Sequence, residues 1–251
     1  MSTPLILVTN DDGILAPGLE ALANAMEALG EVWVYAPDRQ QSAVSHCITL
    51  HRPLRVTEFR ERWHMIDGTP ADCVMLTLHT LMERKPDLVV SGINSGPNLG
   101  DDVSYSGTVA GAYEGMLHKL PSIAFSSVGY QPKHLGSAAG VAAKLAAHVL
   151  KHGMPPDTLL NVNIPDVPED ELDGMAVTRM GRRNYPDDIV KRTDPRGQVY
   201  YWIGGSDAGH YPEVGTDFAA IEKKQVSITP IQRDQTNFPV LEAMQQREWR
   251  L

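Results

Sequence analysis

The chain has 251 residues, of which 42% are hydrophobic and 21% are charged, a composition typical of a globular protein. Its 22 basic and 31 acidic residues give a net charge of −9, which argues against a general nucleic-acid-binding surface. No apolar run reaches the roughly 18 residues that cross a bilayer. The first residues lack the basic region of a signal peptide. We therefore expect a cytoplasmic protein that binds neither a membrane nor a nucleic-acid polymer.

The two cysteines, Cys47 and Cys73, form no CxxC pair and belong to no His/Cys cluster. Thiolate zinc is therefore not expected. We expect reduced thiols in a cytosolic core.

Short apolar segments alternate with amphipathic ones through the first part of the chain. The predicted strands are Leu5–Thr9, Glu31–Ala36, Leu88–Ser91, Ser122–Ser126 and Leu159–Ile164. The predicted helices are Pro17–Leu29, Pro70–Met82, Thr108–Leu117 and Ser137–Leu150. The mixed segment Leu50–Ile66 predicts short strands or a hairpin. Because strands and helices alternate, we expect an α/β fold with a mainly parallel sheet and helices on both faces.

The sequence changes in character from about Gly174 onward. Residues 179–197 are polar and charged, and two later segments, Val199–Ile203 and Gln225–Ile231, predict strands of β-hairpin character. The segment Pro239–Leu251 predicts a terminal helix. We therefore describe residues 1–251 as a single domain, with a core of about 1–173 and an extension of about 174–251.

The extension carries a cluster of basic residues. We interpret the cluster first as a solvated arm, next as an oligomer contact, and only then as a substrate site. Its members are Arg179, Arg182, Arg183, Lys191, Arg192 and Arg196.

Two adjacent aspartates, Asp11 and Asp12, follow the first predicted strand within the sequence Asn10-Asp11-Asp12-Gly13. The carboxyl end of a strand is where an open α/β sheet binds its ligands. Two neighbouring carboxylates repel each other, and a hard cation such as Mg²⁺ or Mn²⁺ would offset that repulsion. An Asx-turn or a helix cap would equally explain Asn and Asp at this position. Both interpretations stay open for the pair alone.

The loops after two other predicted strands complete the candidate site. Ser42 follows Glu31–Ala36, and its hydroxyl could bind a hard metal. The loop of residues 91–108 contains four glycines, and its Asn94 offers an amide oxygen to a metal. The segment Ser106-Gly107-Thr108 leads into a helix, whose free amides and dipole can bind phosphate. A flexible surface loop with a Thr cap is the alternative, although the length of the loop favours function.

Together these residues provide two carboxylates, an amide, a hydroxyl and the N-terminus of a helix. Neither a Walker A loop nor a GxGxxG motif is present, and the histidines His46, His64, His79 and His118 are scattered. No Ser-His-Asp triad is evident. Oxygen ligands for a metal beside an anion site predict hydrolysis of a phosphoester.

The chain resembles the stationary-phase survival protein SurE family. The resemblance rests on motifs in the expected order, which are Asn10–Gly13 with Ala16–Gly18, Ala36–Arg39, Gly68–Cys73, Ser91–Asp102, Tyr105–Thr108 and Gly215–Asp217. It implies a Rossmann-like core and a C-terminal extension that exchanges between subunits of a homodimer or homotetramer. It also implies metal-dependent hydrolysis of nucleoside 5′- and 3′-monophosphates, and for some members cleavage of short polyphosphate.

The resemblance also implies roles for individual residues. One Mg²⁺ or Mn²⁺ per subunit would be bound by Asp11, Asp12, Ser42 and Asn94. Phosphate would be bound by Ser106, Gly107 and Thr108, with Asn98 beside them. Asp11, Asp12 and Asn98 are the candidate catalytic residues, and we expect Asp11 to orient or deprotonate the attacking water.

Two other functions compete with this hypothesis. A haloacid-dehalogenase-type phosphatase also places an aspartate after its first strand, but its two aspartates are separated by one residue, whereas Asp11 and Asp12 are adjacent. A regulatory protein could bind a nucleotide in the same pocket without turnover. The complete set of oxygen ligands favours an enzyme.

Overall fold

A central sheet with flanking helices accounts for most of the chain in this computed structural model, which describes residues 3–184, 189–203 and 209–249. The strands in chain order are β1 (Leu5–Thr9), β2 (Glu31–Pro37), β3 (Val56–Arg60), β4 (Trp63–Ile66), β5 (Leu88–Ser95), β6 (Ser122–Val128), β7 (Thr158–Pro165), β8 (Met175–Val177), β9 (Arg183–Asn184), β10 (Ile189–Thr193), β11 (Val199–Ile203), β12 (Gly209–His210) and β13 (Val226–Gln232). The α-helices are α1 (Pro17–Glu27), α2 (Pro70–Leu76), α3 (Gly107–Leu117), α4 (Leu135–His152), α5 (Asp217–Glu222) and α6 (Phe238–Gln245). A π-helical turn at Thr77–Leu81 and 3-10 turns at Gly100–Ser104 and Glu169–Glu171 complete the helical elements of the described residues.

The described strands form a nine-stranded sheet in the order β3-β4-β2-β1-β5-β6-β7-β13-β8. The run from β4 to β7 is parallel throughout. From β1 the chain moves outward to β2 and β4, and then returns to β5 on the other side of β1. The direction of winding therefore reverses between β1 and β5, and the crevice at the carboxyl ends of these two strands is the expected place for a ligand.

Alternate residues of β1 show that helices cover both faces of the sheet. Ile6 and Val8 belong to one buried cluster with side chains of α1 and α4. Leu7, which points to the opposite face, is buried in a second cluster with Cys73 and Val74 of α2. The prediction of a mainly parallel α/β sheet covered on both faces is thereby confirmed.

Two of the predicted helices in the core of about 1–173 end earlier than expected. The first stops at Glu27 instead of Leu29, and Gly30 then passes so close to the first strand that an added Cβ would lie 2.3 Å from the Pro4 carbonyl oxygen. The second is α-helical only to Leu76 and continues as the π-helical turn. Apolar periodicity cannot distinguish an α-helix from such a turn, because the hydrophobic side chains continue through both.

The predicted hairpin character is confirmed for one of the two late strands and is wrong for the other. β11 pairs antiparallel with β10 and forms a hairpin. β13 instead enters the central sheet, where it pairs antiparallel with β7 and parallel with β8. Its buried Val226 and Ser227 explain this placement, because both of its faces are covered as in an interior strand.

Other predictions for the extension are met in part. The terminal helix covers Phe238–Gln245, and residues 250–251 of its predicted range lie outside the described residues, as do 185–188 of the polar segment. Arg179 and Arg182 are not simply solvated, because both bind the carboxylate of Glu213 with N···O distances of 2.8 Å.

Of the described helices, none is long and apolar enough to span a bilayer.

The two cysteines occupy different environments, and both are free thiols. Cys73 is buried as predicted, whereas Cys47 is exposed, so the expectation of a core position is wrong for Cys47. The loop that carries Cys47 runs over the surface before β3.

We predict that Gly18→Ala will lower the free energy of unfolding by about 1–3 kcal/mol, the usual cost of forcing an extra group into a packed core. Gly18 lies in α1 against β5, and an added Cβ would lie 2.0 Å from the carbonyl oxygen of Ile93. Gly136→Ala in α4 is the matched control, because nothing lies within 4 Å of its added Cβ. Equal midpoints of urea unfolding for the two variants would contradict the prediction.

Candidate active site at the carboxyl ends of β1 and β5

The turn after β1 is closed by Asn10 and not by the aspartates. The side-chain amide of Asn10 donates to the carbonyl of Gly13 at 3.0 Å, and the amide of Gly13 donates back to Asn10 Oδ1 at 3.2 Å. This is the local hydrogen bonding that the Asx-turn interpretation assigned to an Asn or Asp. Asp11 and Asp12 therefore keep their carboxylates for contacts with other elements.

Asp11 is only 5% exposed and contacts the start of α3. Its Oδ1 accepts a hydrogen bond of 2.6 Å from the hydroxyl of Thr108. Gly107 is equally close, since an added Cβ would lie 2.8 Å from Asp11 Cβ and 3.0 Å from Oδ2. A glycine at position 107 is thus required for the carboxylate and the helix to approach each other.

The pKa of Asp11 is raised to about 6, chiefly by burial and also by the neighbouring charge of Asp12, and this is the value that remains after hydrogen bonds from Thr108 lower it. Burial likewise raises the pKa of Asp12, although this carboxylate accepts a 3.0 Å hydrogen bond from the backbone amide of Ser95. Both carboxylates thus lie where negative charge is poorly solvated. A bound cation would stabilise the negative charge of both carboxylates.

Asn94 reaches the crevice through an irregularity in β5. Ser91 pairs with Ala124 and Asn94 pairs with Ser126, so β5 has one residue more than β6 over this stretch. A bulge of this kind changes the direction of the side chains that follow it. The side-chain amide of Asn94 donates to the carbonyl of Gly96 at 2.9 Å, which leaves Oδ1 as the atom able to bind a cation.

A cleft of about 320 Å³ brings most of the predicted site residues together. Six of them line it, namely Asp11, Asp12, Ser42, Asn94, Asn98 and Ser106. Gly107 and Thr108 lie behind Asp11, and Thr108 is fully buried. The hydroxyl of Thr108 is therefore used to hold Asp11, whereas Ser106 both lines the cleft and caps α3 by accepting a 3.0 Å bond from the amide of Val109.

Three buried polar residues that sequence reasoning missed hold Asn98 in place. The Asn98 amide donates to Asn163 Oδ1 at 2.8 Å, and its side-chain amide donates to Ser126 Oγ at 2.7 Å. Its carbonyl accepts from the side chains of Asn161 at 2.8 Å and Asn163 at 3.0 Å. Two asparagines at alternate positions of an otherwise apolar strand were the available signal, because buried amides require partners.

Asp217 belongs to the motif Gly215–Asp217, but the sequence alone did not show what its side chain does. Its carboxylate is fully buried and accepts hydrogen bonds from the backbone amides of Gly100 at 2.7 Å and Gly181 at 2.8 Å. It thereby connects the extension to the long loop that carries Asn98. Further lining residues missed by the sequence reasoning are Gln40, Ala43, Ser95, Gly96, Pro97, Asp102, Tyr105 and Tyr130.

The donor set of the cleft fits a hard divalent ion, and its described lining contains no cysteine or histidine, the ligands typical of zinc sites. Within residues 3–184, 189–203 and 209–249, no three His, Cys, Asp or Glu side chains form a group that could hold a metal. The two carboxylates, one amide and one hydroxyl offer only oxygen, and water can complete the coordination of Mg²⁺. The described lining of the cleft contains no lysine, which the haloacid-dehalogenase alternative would require.

The chain is similar to known proteins over most of its length. The family model described as survival protein SurE matches residues 6–187. A protein of Pelobacter propionicus named 5'-nucleotidase SurE is 53% identical over 234 residues, covering 93% of this chain and 95% of its own. A protein of the same name from Geobacter sulfurreducens is 51% identical over 241 residues, covering 96% and 92%. The crystal structure of the SurE protein from Aquifex aeolicus superposes with a TM-score of 0.87 at 44% identity, covering 96% of this chain and 98% of that one.

We predict that Thr108→Val will lower the free energy of unfolding by about 2–3 kcal/mol, because it removes a donor from a buried carboxylate while keeping the side-chain shape. Thr108→Ser keeps the hydroxyl and should cost only about 1 kcal/mol for the lost methyl group. Urea unfolding in EDTA measures both variants without interference from bound metal. A Val variant as stable as the parent protein would show that the bond to Asp11 contributes nothing.

Proposed function

Because this chain belongs to the SurE family, we propose that it hydrolyses nucleoside 5′- and 3′-monophosphates to nucleoside and phosphate in a divalent-metal-dependent reaction. The supporting observation is that two carboxylates from β1 share one cleft with Asn94, Asn98 and the capped start of α3. The relatives named 5'-nucleotidase match this chain over more than nine-tenths of its length. Short polyphosphate is proposed as a further substrate.

The proposed metal ligands are Asp11, Asp12, Ser42 and Asn94, with Mg²⁺ or Mn²⁺ as the ion. A bound ion of this kind would offset charge on the phosphoryl oxygens and make water more acidic. Both effects of the ion would suit this cleft, because the two carboxylates would otherwise repel an anionic substrate.

Ser106 and Gly107 are proposed to bind the phosphate at the N-terminus of α3, where the helix dipole favours an anion. Thr108 contributes by fixing Asp11, since its hydroxyl is already donated to that carboxylate. Asn98 is proposed to support the phosphoryl group during reaction, and the bonds from Asn161, Asn163 and Ser126 keep it in position. Preorganisation of this kind is a major source of rate enhancement.

Asp11 is proposed to orient or deprotonate the attacking water. Its side chain is held in one position by Thr108 and Gly107, and a fixed acceptor suits in-line attack better than a mobile one. A water molecule that attacks phosphorus loses a proton, and the leaving nucleoside oxygen gains one, so the products are a nucleoside and inorganic phosphate.

We predict that Asp11→Asn will reduce phosphate release from AMP at least 100-fold while the fold is retained, because the variant loses the proposed metal and water ligand. The assay uses AMP, GMP, 3′-AMP and tripolyphosphate, each with EDTA and then with Mg²⁺ or Mn²⁺ restored. EDTA should abolish turnover, and the added ion should recover it. Asp157→Asn is the control, since Asp157 precedes β7 at the far end of the sheet and pairs with Arg233.

Three results, from this assay, from trapping of a covalent intermediate and from AMP binding, would contradict the proposal. Unchanged turnover of Asp11→Asn would remove the role of that carboxylate. A phosphorylated Asp11 trapped during reaction would favour the haloacid-dehalogenase mechanism. Saturable AMP binding without any product would indicate a regulatory nucleotide-binding protein.

We further propose that the protein is cytoplasmic and forms a homodimer or homotetramer through its extension. The free thiols of Cys47 and Cys73 support a reducing compartment, which cell fractionation would test. The β10–β11 hairpin supports association, because it exposes several large apolar side chains that a monomer would leave in water. These side chains are Ile189, Val199, Tyr200, Tyr201, Trp202 and Ile203.

Trp202→Glu is predicted to shift the molar mass measured by light scattering from a dimer or tetramer toward a monomer, since it places a charge on the apolar hairpin. Trp202 is 64% exposed in the single chain. Lys191→Ala on the neighbouring strand is the control, and it should leave the mass unchanged. A parent protein that is monomeric at micromolar concentration would overturn the proposed association.

A further inference from the structure

Two exposed tyrosines flank the cleft that holds Asp11 and Asn98. Tyr105 is 59% exposed and Tyr130 is 81% exposed, and both belong to the lining of the cleft. Because both rings border the same polar cleft, they offer it a flat apolar surface of the kind that suits a ligand with an aromatic ring.

The backbone at Tyr105 is held firmly against the neighbouring loop. The amide of Ser45 donates to the Tyr105 carbonyl at 3.0 Å, and the Ser45 hydroxyl donates to the Ser104 carbonyl at 2.7 Å. Tyr105 also ends the 3-10 turn that begins at Gly100. Its ring is therefore carried by a fixed segment although the ring itself is exposed.

Tyr130 is positioned by Gly96 in the loop after β5. An added Cβ at Gly96 would lie 3.2 Å from Tyr130 Cε1 and 3.3 Å from Cδ1, so the ring lies directly against the glycine. Gly96 has a φ of +129°, which disfavours any other residue. The two rings thus border the cleft from different segments of the chain, one before α3 and one after β6.

We propose that Tyr105 and Tyr130 bind the nucleobase of the substrate by stacking, a proposal that rests on the proposed nucleotidase function. A phosphate beside Asp11 and Ser106 directs the nucleoside outward, toward the two exposed rings. Stacking accepts any base, because every base has a π-face. The site should therefore bind purine and pyrimidine nucleotides alike, with tighter binding of the larger purines.

A larger cavity of about 660 Å³ on the other side of Ser106 is the alternative site for the base. It is lined by His46 and Tyr113, each of which has one polar side-chain atom bonded within the chain. His46 Nε2 lies 2.7 Å from the buried carboxylate of Glu114, and the Tyr113 hydroxyl donates to the carbonyl of Arg233 at 3.0 Å. Because the tyrosines share the cleft with the carboxylates, they are the better site for the base.

The test compares AMP with ribose 5-phosphate, which has the same phosphate and sugar but no base. Tyr130→Ala and Tyr105→Ala should each raise KM for AMP roughly 5- to 100-fold, the effect of losing one stacked ring. Turnover at saturating AMP should change less than threefold, and KM for ribose 5-phosphate should stay constant. Tyr130→Phe and Tyr105→Phe keep the ring and should retain the KM of the parent.

Equilibrium dialysis of AMP and ribose 5-phosphate gives a second readout that needs no turnover. The parent should bind AMP more tightly, and each Ala variant should lose that preference. If the parent binds AMP with this preference but releases no phosphate, the proposed hydrolysis fails while the stacking site stands.

Two results would overturn the stacking site. One is a parent that binds AMP and ribose 5-phosphate equally. The other is a KM for AMP that rises in His46→Ala or Tyr113→Ala but not in the variants of Tyr105 and Tyr130, which would move the base to the larger cavity.

Discussion

A buried carboxylate at the end of β1 determines how the surrounding elements can be arranged. Asp11 is 5% exposed, and an ionised group at that depth is costly unless it has partners. Its bond to Thr108 fixes the start of α3 against the end of β1, and the contact leaves room only for glycine at position 107. The position of the helix N-terminus, and with it the proposed phosphate site, follows from this one contact.

A second set of polar contacts holds the rest of the cleft in a fixed position relative to Asp11. Asn161 and Asn163 place two amides on buried β7, where both donate to the carbonyl of Asn98 and Asn163 Oδ1 accepts from the Asn98 backbone amide. Asp217 then fixes Gly100 from the side of the extension. The extension therefore stabilises the loop from which Asn98 projects.

The sequence was sufficient for the parts of the fold that depend on local pattern. The apolar run at Leu5–Thr9 predicted β1 with its observed bounds, and the alternation of strands and helices predicted the covered parallel sheet. The placement of β13 was not predictable, because an antiparallel strand added to a parallel sheet has the same composition as a hairpin strand. Its pairing depends on which edge of β7 is free, a property of the assembled sheet.

The candidate site was predictable to the extent that its residues follow strands, whereas Asn98 was implied by the family resemblance alone. Asp11, Asp12, Ser42, Asn94, Asn98 and Ser106 come together in one cleft because the loops after β1, β2 and β5 meet at one edge of the sheet. The burial of Thr108 could not be foreseen, since it depends on the close approach of α3 to β1. Tyr105 and Tyr130 were missed because their rings are exposed. An exposed aromatic residue has no periodic signal, and only the folded chain shows that both rings border the same cleft.

The two aspartates that stand side by side in the sequence have different surroundings in the fold. Asp11 is held by a side chain of α3, whereas the partly buried Asp12 is held by the backbone amide of Ser95 at the end of β5. The pair therefore connects three elements around the point where the winding of the sheet reverses. A movement of α3 would disturb Asp11 first, and a movement of the β5 loop would disturb Asp12 first. Since a metal bound by both carboxylates would require both contacts at once, its binding would also hold α3 and β5 together.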